Sequence, residues 1–229
     1  MQNQQHLPIG KAVNYTPASP PKKHPLQGQY CRLEPFDIAR HTEGLFEAFL
    51  TDSSGKNWTY LPFEAFDDIV KFRSWAENTC TGTDPFFYAV IDPNSGQAIG
   101  LASFLRINPA AGSIEVGWIN FSPLMQGTRA STEAMYLMMQ EAFKLGYRRY
   151  EWKCDSLNAP SNHAAKRLGF TFEGIFRQAL VYKGRNRDTA WYSVIDSEWP
   201  TLEKVFVSWL DAGNFDDSGK QTAKLQYFR

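Results

Sequence analysis

Ile119-Asn120-Phe121-Ser122-Pro123-Leu124-Met125-Gln126-Gly127-Thr128-Arg129-Ala130-Ser131-Thr132-Glu133-Ala134 carries an apolar strand through a proline into a tight polar turn that opens a helix. The first amides of a helix have no internal partner, and together with the macrodipole they favour an anion at the N-terminus. The junction is therefore of the kind that holds phosphate. A second such junction follows at Asn158-Ala159-Pro160-Ser161-Asn162-His163-Ala164-Ala165-Lys166-Arg167-Leu168-Gly169-Phe170, where a proline opens the helix and a glycine stops it.

Upstream of the first junction the periodicity is extended. Residues 86–91 end at Asp92-Pro93-Asn94-Ser95-Gly96, a tight-turn composition, and residues 98–107 resume as a strand. Asn108-Pro109-Ala110-Ala111-Gly112 then leads into the strand 113–121, which makes an antiparallel meander. Downstream, the spacing of Ala134, Met135, Met138, Ala142 and Phe143 predicts a helix over 128–144. Residues 150–155 alternate as a strand, 160–168 read as a helix, and 170–180 and 188–194 as two more strands. Nearer the start, a strand at 30–33 precedes helices at 39–50 and 66–78, and a last helix is predicted at 201–210. This order implies an α+β fold, a mixed and mostly antiparallel central sheet with helices on both faces. Residues 1–27, with Pro17, Pro20, Pro21 and Pro25, read as an extended arm, 28–212 as one domain, and 213–229 as a polar tail.

Lysine plus arginine equal aspartate plus glutamate at 24 each, so no overall field favours nucleic acid or an anionic membrane. Cys31, Cys80 and Cys154 are odd in number and widely spaced, unlike a disulfide framework or a zinc motif. With no basic start, leader-like apolar segment or membrane-length apolar run, the expected setting is the cytoplasm.

The ordered series from Phe121, Pro123 and Gln126-Gly127-Thr128-Arg129-Ala130-Ser131 to Asn158, Ser161, Leu168-Gly169-Phe170, Glu173-Gly174, Arg177, Gly184 and Arg187-Asp188 resembles the GNAT superfamily of N-acetyltransferases. The closest likeness is to the branch of RimJ and RimL type that acetylates ribosomal-protein N-termini, and it covers residues 29–198. One position departs from the pattern. Arg129 stands where a glycine normally lets the backbone approach a pyrophosphate, so its side chain either adds a phosphate contact or widens the loop.

The resemblance implies acetyl-CoA as cosubstrate, no metal, and direct transfer of the acetyl group to a primary amine. It places the pyrophosphate on Gln126, Gly127, Thr128, Arg129, Ala130 and Ser131, and the pantetheine arm and acetyl oxygen on main-chain amides around Ile119 and Phe121. Glu115, a carboxylate in an apolar strand, is either the proton acceptor or half of a salt bridge with an arginine on a neighbouring strand. Ser161 either protonates the departing thiolate or caps its helix, and Asn158 either bonds the pantetheine amides or closes an Asx turn. His163 reads as structural or solvated, and Cys154 as a buried thiol. The acceptor is a protein or peptide N-terminus or a small amine, with no nucleic acid or membrane partner. The sequence leaves the oligomeric state open, a homodimer among the options. A rival reading is an acyl-CoA-binding sensor or interaction module with little or no turnover.

Overall fold

The computed structural model describes residues 7–229. Its centre is one eight-stranded sheet in the order β1-β2-β3-β4-β5-β6-β8-β7. The strands are β1 (Leu26–Gln27), β2 (Arg32–Pro35), β3 (Phe86–Ile91), β4 (Ala98–Asn108), β5 (Ser113–Phe121), β6 (Arg149–Asp155), β7 (Thr171–Tyr182) and β8 (Arg185–Ile195). The helices are α1 (Ile38–Leu50), α2 (Ile69–Thr79), α3 (Arg129–Lys144), α4 (Ala159–Leu168) and α5 (Trp199–Leu210). Every neighbouring pair is antiparallel except β5 with β6, which is parallel because α3 carries the chain across between them.

All six residues of β3 are buried, and the pleat divides them between two cores. Phe86, Tyr88 and Val90 join α3 and α5 through Met135, Met138 and Phe206, while Phe87, Ala89 and Ile91 join α1 and α2 through Leu45, Phe49 and Phe72. This is why β3 reads as a continuous apolar run, whereas β6 alternates.

The arm and the tail both lie on the domain. Tyr15 donates its hydroxyl to the Pro109 carbonyl at 2.7 Å, the Ser19 amide donates to the Leu145 carbonyl, and Ala18 and Leu26 are buried. Past α5, Leu225 is buried, Trp209 Nε1 donates to Gln221, and Arg229 donates to the Lys166 and Arg167 carbonyls at the end of α4. The polar composition of residues 213–229 hid these few anchoring apolar and aromatic side chains. No helix among the described residues is long and apolar enough to cross a membrane. The reading of the first six residues as lacking a leader lies outside the described residues.

Candidate active site

Strands β5 and β6 pair only from Ser113 with Arg149 to Val116 with Trp152, and then part. The cause is a bulge on the other edge of β5, where Trp118 and Ile119 stand against the single residue Ala102 of β4. Trp118 takes a φ of 50°, left-handed for a bulky residue, and so turns the rest of β5 away from β6. Residues 117–121 therefore have no strand on their β6 side, and a cavity of about 1090 Å³ opens in the gap. Ile119 and Phe121 line it.

At one end the cavity reaches the start of α3. Gly127 holds a φ of 73°, which a β-carbon would strain, and Thr128 has extended N-cap geometry. Yet Thr128 does not cap the helix: its hydroxyl donates to the Met125 carbonyl, and no acidic side chain stands in the first turn. Helices α1, α2 and α4 are each capped by their own Asp37, Asp68 and Asn158. The Gln126 amide is turned inward, donating to Asn57 Oδ1 and the Phe121 carbonyl at 2.8 and 2.7 Å, so it braces the loop. Gln126, Gly127 and Ser131 line the cavity, joined by Arg167, whose guanidinium donates to Thr132. Ala130 packs on the core. The Arg129 side chain does not line the cavity; it stacks on Tyr30 and Phe215, 4.2 and 5.4 Å from their ring centres.

Just before the two strands part, Glu115 is buried and lines the cavity. Its Oε2 lies 2.8 Å from Lys153 Nζ, off the hydrogen-bonding axis, and 3.4 Å from Arg106 Nε. Burial raises its pKa above the usual carboxylate range against the pull of Lys153 and Arg106. The salt bridge expected with an arginine is thus present, but the closer partner is a lysine on β6.

Ser161, in the first turn of α4, gives its amide to Asn158 Oδ1, and its Oγ accepts from Trp152 Nε1 at 3.0 Å. An indole can only donate, so this bond does not use the serine hydroxyl proton. Asn158 serves as the Asx cap, and both residues line the cavity. Cys154 is buried beside Ser161, and burial pushes its thiol up. His163 is exposed on α4.

The far end is roofed by the β7–β8 hairpin and the segment after α1. Lys183 Nζ donates to the Trp58 carbonyl, and Tyr60 donates to the Leu157 carbonyl. Tyr182 donates to Asp155 Oδ2, and burial together with that bond pushes its phenol up to about 12. Lys153, Tyr182, Trp191 and Asn57 all line the cavity, and sequence reading singled out none of them. For Lys153 the sequence holds no local signal, because its position depends on how β6 aligns with β5.

The family described as acetyltransferase (GNAT) domain matches over residues 31–171. A crystal structure of a GCN5-related N-acetyltransferase from Brucella melitensis is 46% identical, with a TM-score of 0.92 over 94% of this chain and 98% of that one. The ribosomal-protein-serine acetyltransferase of Escherichia coli is 33% identical over 44% of this chain and 58% of its own. RimL, a ribosomal L7/L12 α-N-protein acetyltransferase solved with coenzyme A, is 21% identical with a TM-score of 0.60 over 75% and 98% of the two chains, a likeness of fold alone. The chain spans about half the length of the curated relatives it matches, 50% and 58%. With the family match covering well over half the sequence, on a sheet that parts where its two parallel strands meet, this chain belongs to the GNAT acetyltransferase family.

Proposed function

We propose that the protein is an acetyl-CoA-dependent N-acetyltransferase that transfers acetyl directly to a primary amine, with the α-amine of a protein or peptide as the first acceptor to test and small amines as the second. The observation that carries this reading is the uncapped start of α3 opening onto the gap between β5 and β6. The residues fit a coenzyme's diphosphate: free first-turn amides, a glycine at positive φ and the Arg167 guanidinium share one cavity wall. Bound there, acetyl-CoA supplies the activated thioester.

The chain's own groups then account for the proton traffic. The amine attacks the acetyl carbonyl, and Glu115 accepts the proton it sheds, directly or through water. Backbone amides of the unpaired part of β5 face the oxygen that gains charge. Ser161, its oxygen occupied by the Trp152 indole, gives its proton to the departing thiolate and recovers one from solvent. The products are an amide and free coenzyme A. An α-amine, with a reference pKa near 8, asks less of the base than a lysine near 10.4. The ribosomal-protein-serine acetyltransferase relative makes an N-terminal serine the natural opening acceptor.

The test is a panel of peptides, amino acids and polyamines incubated with acetyl-CoA, reading thiol release and acetylated product by mass. Amine-dependent release is expected. Tight acetyl-CoA binding without release on any amine would replace the enzyme by a binding module.

A further inference from the structure

We propose that Lys153 is the positioning residue of this site, seated between Glu115 and Glu151 so that the Glu115 carboxylate is held as an anion facing the cavity. The inference rests on the reading of Glu115 as proton acceptor. The parallel register sets Glu115 directly opposite Glu151, and like charges so placed repel. Lys153 follows two residues later on the same face of β6, and its Nζ lies 2.8 Å from an oxygen of each. Across β8 its register partner is Trp191, whose ring centre is 3.7 Å from Nζ. The side chain is 6% exposed. An ammonium fixed by two carboxylates and an indole face has little freedom to leave, and a buried carboxylate without it would take up a proton.

Lys153 is also the middle of a longer alternation. Arg106 on β4, Glu115 on β5, Lys153 and Glu151 on β6, Arg149 on β6 and Glu173 on β7 form a chain of opposite charges across the sheet. Arg106 is 61% exposed and screened by water, so it is the weaker neighbour of Glu115. The groups facing Glu115 are therefore Arg106 from β4 and Lys153 and Glu151 from β6. Burial raises the Glu115 pKa first, Lys153 and then Arg106 lower it, and Glu151 raises it. Removing Lys153 and removing the charge of Glu151 must act with opposite sign.

The experiment measures kcat/KM for the acceptor against pH, expressed on the neutral amine, in wild type, Glu115→Gln, Lys153→Met and Glu151→Gln. Activity needs ionised Glu115, so it falls below a break at the pKa of that group. In Lys153→Met the break is expected to move up by about one to three pH units, the reach of a neighbouring charge. In Glu151→Gln it is expected to move down. Thermal melts establish that each variant is folded, and should Lys153→Met not fold, the direction of the shift in Glu151→Gln decides alone. Shifts of one sign in both variants, or unmoved breaks where Glu115→Gln abolishes the break, overturn the positioning role. A Glu115→Gln enzyme that keeps its rate and its break overturns the base reading instead.

Discussion

The junction from β5 into α3 and the junction from β6 into α4 look alike in sequence, each a strand passing through a polar turn and a proline into a helix. They differ in who satisfies the helix. At the second, Asn158 bonds the Ser161 amide, and Asn162 reaches back to the carbonyls of Asp155, Ser156 and Asn158. At the first, Thr128 stands in the cap position but points its hydroxyl backward to Met125, and no side chain takes the amides of the opening turn. A self-capped junction holds a side chain, Ser161, in fixed geometry. An uncapped one gives up that local stability, and in the proposed function it is where the coenzyme's diphosphate would sit.

The contrast is broken most directly by capping the first junction. Thr128→Asp, at a position already in N-cap geometry, is expected to stabilise the free protein by about 0.5–1 kcal/mol while weakening acetyl-CoA binding five- to thirtyfold, or about 1–2 kcal/mol, since the new carboxylate takes the amides and repels the diphosphate. Thermal melts and calorimetric titration of one sample would read both, and tighter or unchanged binding would show that the diphosphate lies elsewhere. Uncapping the second junction should do the reverse: Asn158→Ala is expected to cost about 1 kcal/mol of stability, with denaturant midpoints as the measure, and to lower turnover through Ser161 more than coenzyme affinity. A large loss of affinity would instead make Asn158 a ligand of the pantetheine. The smallest effect is expected at Arg129. Because its guanidinium stacks on Tyr30 and Phe215, Arg129→Gln should lose about 0.5–1 kcal/mol of stability and leave the coenzyme Kd within about twofold. A tenfold weakening would mean that the side chain swings to the phosphate when the coenzyme binds.

Much of the framework was legible because its signals are local. The meander of β3 to β5, the turn at Asp92 and the glycine stop at Gly169 follow from residue types a few positions apart, and each helix and strand of the domain lies within a few residues of its expected span. The two-residue β1 was absent from that reading, since so short a strand has no period of its own and forms only because β2 offers an edge. The buried Leu225 and the partly buried Phe215 escaped notice for a related reason: a single apolar side chain in a polar stretch carries no pattern, although each anchors the tail. Arg129 could be flagged as a departure from glycine, but its aromatic neighbours come from residues 30 and 215, at opposite ends of the chain.

The sequence by itself determined that a sheet hands over to a helix at residues 119–134 through a turn fit for an anion, and that Glu115 is a charge in an apolar strand. Tertiary structure alone decided what those features face. Pairing register set Glu115 against Glu151 and put Lys153 between them, and the bulge at Trp118 parted β5 from β6. Periodicity reports which face a side chain takes, but the neighbour on that face depends on how distant strands align, and that alignment is fixed only when both cores close together.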